Sequence, residues 1–140
     1  MAERSAGYRT VPHTADVRVE AWAPSREECI AQAVLGAVNG FLDTSAARPV
    51  RTHHCQLRGD TDEDLLVAVV DEVIFRLDTD NEAPIAVDLT PTDAGLDARM
   101  TMCNAAEVPQ IGAIPKAVSL HELLIDAGPD GWRCSITVDV

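Results

Sequence analysis

The feature that most constrains the fold is an apolar stripe with the period of an α-helix, near the middle of the chain. The stripe begins after Thr61-Asp62-Glu63-Asp64, whose acidic side chains suit the positive end of a helix dipole. Its members are Leu65, Leu66, Val69, Val70, Val73, Ile74 and Leu77. A helix with such a face must bury it, so the rest of the chain has to supply a covering layer.

The residues before this helix predict a strand followed by another helix. Asp16 to Ala23 alternates between apolar and polar side chains, which indicates a half-buried strand. Ser25 with Glu28 three residues later is typical of a helix N-terminus, and helically spaced apolar residues continue to Phe41. This first helix is expected to pack one face on a sheet.

Short segments predicted to be strands account for most of the remaining chain, although the polarity pattern of 50–58 is poor. They lie at 8–11, 50–58, 85–89, 96–102, 116–125 and 132–140, and turn-forming residues separate several of them. Two helices among about seven strands predict a single α+β domain, with both helices packed on a largely antiparallel or mixed β-sheet. We expect residues 1–7 to be disordered and residues 8–140 to form the domain.

The net negative charge of the chain indicates which kinds of partner it would attract. The 140 residues include 23 acidic and 11 basic side chains, for a formal net charge of −12. The basic residues are dispersed, so direct nucleic-acid binding is not expected, whereas a basic protein surface or a divalent cation would be attracted. Apolar runs are short and no signal segment is visible, so we expect a cytoplasmic protein that does not enter a membrane. The four cysteines form no Cys-x-x-Cys pair and are expected to be reduced thiols.

Both ends of the chain carry candidate metal ligands. His13-Thr14-Ala15-Asp16 stands at the start of the first alternating strand, and Asp139 lies on the polar face of the last strand, next to the α-carboxylate of Val140. Three carboxylates in one place repel one another unless they share a cation, and hard ions such as Ca²⁺ or Mg²⁺ prefer oxygen ligands. The alternative is that Asp16 caps a turn and Asp139 is a solvated strand end.

His53-His54-Cys55 offers softer ligands of the kind that bind zinc. Adjacent residues of a strand point to opposite faces, and the sequence shows no second ligand pair nearby. Zinc binding is therefore not expected here.

Several motifs taken together resemble the archease family, in order, spacing and total length from Tyr8 to Val140. They are His13-Thr14-Ala15-Asp16, Asp64-Leu65-Leu66-Val67, Leu77-Asp78-Thr79, Lys116-Ala117-Val118-Ser119-Leu120-His121 and Thr137-Val138-Asp139-Val140. Archeases are small acidic proteins that act as cofactors of the GTP-dependent RNA ligase of tRNA splicing and RNA repair. The resemblance implies a non-enzymatic protein that promotes guanylylation of that ligase and its turnover.

The resemblance also implies roles for individual residues. Asp16, Asp139 and Val140 match the family's ligands for a divalent metal ion, which we expect to be Ca²⁺, with Mg²⁺ or Mn²⁺ as alternatives. Lys116 matches the lysine that works with this site at the ligase, and His13 matches a residue that supports the site. Two other functions stay open: a metal-dependent hydrolase acting on nucleotides or RNA, and a chaperone-like interaction module.

Overall fold

The computed structural model describes residues 5–12 and 16–140, in which two antiparallel sheets and two helices form one hydrophobic core. The elements in chain order are β1 (Gly7–Pro12), β2 (Asp16–Ala23), α1 (Arg26–Asn39), β3 (Arg51–Arg58), α2 (Asp62–Asp80), β4 (Glu82–Pro91), β5 (Gly95–Asn104), a 3₁₀ turn (Ala105–Glu107), β6 (Ala117–Gly128) and β7 (Gly131–Asp139). The predicted α+β class is confirmed. The strands divide between two sheets instead of forming one.

The first sheet has the order β1-β2-β7-β6, and the second has the order β3-β5-β4. Helix α1 packs against β1, β2 and β7 of the first sheet and against β4 of the second. Helix α2 packs against β6 of the first sheet and all three strands of the second. Because each helix contacts both sheets, the helices join them into one core.

Helix α1 begins as its capping residues predict. The Ser25 hydroxyl accepts a hydrogen bond of 3.1 Å from the backbone N–H of Glu28. Small residues at Ala31, Ala33, Gly36 and Ala37 let strands approach closely, and the helix is buried on much of its surface. The helix ends at Asn39, two residues before the predicted Phe41, whose ring is nevertheless buried in the core.

Helix α2 confirms the apolar stripe. The Thr61 hydroxyl accepts a hydrogen bond of 3.1 Å from the backbone N–H of Asp64. The residue that caps the C-terminal end of the helix, Asn81, is in the left-handed conformation with φ of 54°. The side chains of Leu65, Leu66 and Val69 are buried, as are those of the following stripe positions Val70 and Val73. Within residues 5–12 and 16–140, no helix is long and apolar enough to cross a membrane.

The β6–β7 hairpin closes the first sheet. Its turn ends at Gly131, whose φ of 123° belongs to glycine and whose missing Cβ would lie 2.8 Å from the carbonyl oxygen of Ala23. The pairing register shifts between Ser119 and Leu124, where Glu122 has a φ of 58°. This irregularity is a β-bulge that moves part of β6 out of the ladder.

Two cysteines from distant parts of the chain meet in the core. The Sγ atoms of Cys29 on α1 and Cys134 on β7 are 3.4 Å apart. The hydrogen bond to Cys29 and burial raise the pKa of the Cys134 thiol. A thiol held protonated in this way packs as a small apolar group and is a poor nucleophile.

Candidate functional site at the end of the first sheet

Two of the predicted metal ligands lie side by side at one end of the first sheet. In the antiparallel pairing of β2 with β7, Asp16 is directly opposite Asp139. Residues opposite each other in such a pair point to the same face, with Cβ atoms about 5 Å apart. The structure thus joins two carboxylates that are separated by almost the whole chain.

The apolar alternation of both strands fixes this register. Along the inward face, Val17 pairs with Val138 and Val19 pairs with Ile136. A slip of one residue would turn these side chains to solvent and polar ones to the core. Burial of the apolar face therefore determines which residues meet on the outer face, including the Asp16 and Asp139 pair.

The carboxylate pair lies on the outer face of the first sheet, where Asp16 is partly exposed and Asp139 is exposed. Asp139 is exposed while its neighbour Val138 is buried, as the alternation of β7 predicts. Neither Asp16 nor Asp139 has a hydrogen bond or an ion pair through its side chain with any residue among those described. Like charges directly opposite each other in a sheet are destabilising. Hard oxygen donors arranged in this way have the chemistry that Ca²⁺ or Mg²⁺ requires.

Lys116 reaches the same end of the sheet from β6. Its backbone N–H donates a hydrogen bond of 2.8 Å to the carbonyl oxygen of Asp139, and the next residue, Ala117, pairs with Asp139. The Lys116 side chain is exposed, and its ammonium has no ion-pair partner in the described part of the chain. Val140 follows Asp139 and is partly buried against the core. His13 lies outside the described residues.

The arginine nearest in sequence to this pair is engaged elsewhere. Arg18 lies two residues after Asp16, and its guanidinium forms ion pairs of 3.2 Å with Glu20 and 3.4 Å with Glu122. The second pair links β2 to the bulged part of β6 across the intervening strand. Arg18 is therefore occupied by two other carboxylates, which leaves Asp16 and Asp139 to attract a different cation.

A groove adjoins this end of the sheet, and Lys116 forms part of its wall. The groove has a volume of about 820 Å³, and α2 supplies much of its lining. Phe75 and Ile114 in this lining are 52% and 47% exposed, which is unusual for large apolar side chains. Partial burial raises the pKa of the Asp71 carboxyl group, which also lines the groove. The groove thus combines apolar surface with one basic group, Lys116, and two acidic groups, Asp71 and Asp78.

A second set of ligand atoms includes two residues that the sequence analysis considered for zinc and set aside, and a third, Glu72, that it missed. His53 and Cys55 on β3 lie with Glu72 on α2, and one ligand atom of each lies within 4.8 Å of the others. The spacing of His53 and Cys55, two residues apart on a strand, was the available signal because it places both side chains on one face. Nothing in the sequence indicated that Glu72 would come from a helix to join them.

Comparison with known proteins gives a consistent family. The profile of the Archease protein family (MTH1598/TM1083) matches residues 8–140. The protein from Mycobacterium tuberculosis H37Rv named "Probable protein archease" is 52% identical over 136 residues, which are 97% of this chain and 76% of that protein. "Protein archease" from Methanosarcina barkeri is 26% identical over 147 residues, and the match covers all of both chains.

Solved structures agree with this fold. The solution structure of protein 1598 from Methanobacterium thermoautotrophicum matches with a TM-score of 0.75 at 21% identity, over 96% of this chain and 99% of that chain. The crystal structure of a Thermotoga maritima archease, described as a possible chaperone, matches with a TM-score of 0.67 at 18% identity, over 93% and 94% of the two chains. Because the family profile spans nearly the whole chain and a relative shares half of its residues, the chain belongs to the archease family.

Proposed function

We propose that this chain is a non-enzymatic activator of a GTP-dependent RNA ligase that acts in tRNA splicing and RNA repair. In this proposal it promotes guanylylation of the ligase and its turnover, using a divalent metal ion bound by Asp16, Asp139 and the carboxylate of Val140. The observation that carries the proposal is the cross-strand pair of carboxylates, Asp16 and Asp139, whose side chains have no partner among residues 5–12 and 16–140. Membership of the archease family supports the choice of partner.

The donor atoms support Ca²⁺ as the ion, with Mg²⁺ or Mn²⁺ as alternatives. Each proposed ligand offers only carboxylate oxygen, which hard cations prefer over nitrogen or sulfur. A bound cation supplies positive charge that can be shared with phosphate oxygens of a nucleotide. The protein's part is to hold Asp16 and Asp139 on adjacent strands of a sheet, so that little rearrangement is needed to bind the ion.

Lys116 is proposed to contact the ligase's nucleotide site from beside the metal. Its backbone is tied to Asp139, so its position follows that of the metal ligand. Its exposed ammonium can interact with phosphate as a mobile point charge. Phe75 and Ile114 in the adjoining groove offer apolar surface that a protein partner could cover.

The net charge favours a protein partner over RNA. A chain with a formal charge of −12 repels phosphate backbones at long range, and phosphate contacts dominate non-specific RNA affinity. We therefore propose that the ligase, and not this chain, holds the RNA.

The proposal is tested with the cognate ligase in two assays: covalent guanylylation with labelled GTP, and multiple-turnover joining of RNA ends. We expect the wild type to stimulate both, whereas Asp16→Asn, Asp139→Asn and Lys116→Met lose most of the stimulation. Asp93→Asn is the matched control because it removes one carboxylate from the exposed β4–β5 turn of the other sheet. No stimulation by the wild type, or full stimulation by the Asp139 variant, would contradict the proposal.

The alternative functions make different predictions in the same assays. A chaperone-like module would protect the ligase without a metal, and the Thermotoga relative is described as a possible chaperone. Its effect would survive a calcium chelator and also a glycine added after Val140, which displaces the terminal carboxylate by one residue. A hydrolase would turn over nucleotides or RNA without the ligase, and Asp139→Asn would abolish that turnover.

A further inference from the structure

The strongest feature outside the proposed site is the group of three ligand atoms between β3 and α2. His53 and Cys55 both point to the inner face of the second sheet, since His53 is buried and Cys55 half-buried while the intervening His54 is exposed. Glu72 reaches this face from α2, and its Oε2 lies 2.8 Å from His53 Nε2. One atom from each of the three side chains lies within 4.8 Å of the others.

We propose that His53, Cys55 and Glu72 form a binding site for Zn²⁺, separate from the carboxylate site of the first sheet. An imidazole nitrogen, a thiolate sulfur and a carboxylate oxygen are the three ligand types that zinc takes in proteins. Ca²⁺ and Mg²⁺ are poor candidates because they bind oxygen ligands and leave nitrogen and sulfur aside. The remaining tetrahedral position would be filled by water, because the side chains of His53 and Glu72 remain 11% and 16% exposed.

The geometry requires only small movements. In a tetrahedral zinc site with bonds of about 2.0–2.3 Å, ligand atoms lie roughly 3.3–3.6 Å apart. The widest separation in the cluster is at most 4.8 Å, so it must close by about 1 Å, while the 2.8 Å contact between His53 and Glu72 must open by about half as much. Rotation of the Glu72 and Cys55 side chains can supply such movements without moving the strand or the helix.

The charges around the cluster also suit a divalent ion. With neutral His53, the thiolate of Cys55 and the carboxylate of Glu72 balance the two charges of Zn²⁺. Arg76 donates a hydrogen bond of 2.8 Å to Glu72 Oε2, the oxygen that also contacts His53, and would hold this ligand in place. The positive charge of Arg76 is itself shared with Asp80, through a contact of 3.2 Å.

Without an ion, the Cys55 thiol holds its proton. Burial, and then the negative charge of Glu72, raise the pKa of this thiol. A zinc ion reverses that balance because it binds the thiolate, so binding displaces a proton from Cys55. The bound ion would tie β3 to α2, two elements that pack together and are already joined by the hydrogen bond between His53 and Glu72.

An ordinary structural explanation competes with this proposal. Glu72 accepts hydrogen bonds from both His53 and Arg76, which could be all that the cluster does. That explanation gives no role to the Cys55 thiol, and it predicts no thiol-dependent metal affinity. The two explanations therefore differ in one spectroscopic prediction: only the proposed metal site should give a thiolate-to-metal charge-transfer band.

The test uses the full chain, freed of metal by chelation and titrated with Co²⁺ alone. We expect a thiolate-to-cobalt charge-transfer band and the visible bands of tetrahedral Co²⁺, saturating at one ion per chain and bleached by one equivalent of Zn²⁺ but not by Ca²⁺. Cys55→Ser should remove the charge-transfer band, and Glu72→Gln should weaken binding at least tenfold. His54→Ala, on the opposite face of the same strand, and Asp16→Asn, at the other site, should leave the spectrum unchanged.

A second measurement needs no substitution. In the wild type, one equivalent of Zn²⁺ should slow alkylation of Cys55 by iodoacetamide at least tenfold, as mapped by mass spectrometry, and leave the rates at the other cysteines unchanged. This readout keeps the proposal testable if a variant fails to fold. Absence of a charge-transfer band in the wild type, its persistence in Cys55→Ser, or unchanged alkylation of Cys55 would overturn the proposal.

Discussion

Replacing Asp16 by Asn should change the stability of the protein in opposite directions with and without calcium. Asp16 and Asp139 face each other across β2 and β7 with no described partner, so in the absence of metal they repel each other. At a separation of about 5 Å in water, two unit charges repel by about 0.8 kcal/mol. Screening at physiological ionic strength reduces this to roughly half. Without metal, Asp16→Asn should therefore be more stable than the wild type by about 0.4 kcal/mol.

In saturating calcium the wild type should instead be more stable than Asp16→Asn. An ion that binds only the native state at one hundred times its dissociation constant raises the free energy of unfolding by about 2.7 kcal/mol. The wild type should gain this amount, whereas Asp16→Asn has lost a charged ligand and should gain little. The assay is urea unfolding followed by circular dichroism, in EGTA and in saturating calcium, where a change of this size moves the midpoint by about 1–2 M.

Two outcomes would refute this reasoning, and they have different meanings. If Asp16→Asn is the less stable protein in EGTA, Asp16 has a structural role such as capping a turn, and its charge does not destabilise the metal-free protein. If calcium stabilises both proteins equally, the ion binds elsewhere. Asp93→Asn, in the exposed turn of the other sheet, corrects for the general effect of removing one negative charge from a chain of net charge −12.

Three further predictions concern α2 and the cluster beside it. Thr61→Ala removes the hydroxyl that caps Asp64 and should lower the free energy of unfolding by about 1 kcal/mol in urea titration, and no change would mean that another group caps the helix. Leu66→Ala, at a fully buried position, should cost roughly 3 kcal/mol or more in the same assay, and a loss below 1 kcal/mol would show that the core refills the space. Burial and Glu72 raise the pKa of the Cys55 thiol, so the stability that this proton provides is present below the ordinary thiol pKa and lost as pH rises above it. Glu72→Gln should accordingly bring that pKa down and speed alkylation of Cys55 at pH 8 in metal-free protein, and an unchanged rate would show that burial alone protects the thiol.

The elements with strong local patterns could be predicted from the sequence. Alternation gave β2 its bounds at Asp16 and Ala23, and the Thr61 cap with its apolar stripe located α2. The division into two sheets was not predictable in this way, because alternation shows which face of a strand is buried but not which strands pair. The polarity of β3 is irregular because a buried position on its inner face is occupied by the polar residue His53, and the pattern of β6 is interrupted by the register shift after Ser119.

The candidate sites were also only partly predictable, because local sequence patterns do not show which distant elements pack together. Alternation in β7 correctly placed Asp139 on the outer face, but its alignment with Asp16 depends on the pairing of β2 with β7, which local sequence does not encode. Zinc binding at His53 and Cys55 was not expected for a related reason, since the third member of the cluster, Glu72, belongs to a helix nineteen residues from His53 along the chain. In both cases the ligands meet only after tertiary packing has brought distant elements together.

Helix α2 connects the proposed zinc site with the groove beside Lys116. It carries Glu72 on the side that faces β3, and Phe75, one turn later, lines the groove. A zinc ion that ties Glu72 to β3 would restrict α2 and thereby fix one wall of the groove. The proposed calcium ligands Asp16 and Asp139 lie on β2 and β7, and contact with α2 is made by β6, the neighbour of β7. Zinc should therefore alter how tightly the ligase binds and leave calcium affinity unchanged, and an equal effect on both would show that the two sites are coupled through the first sheet.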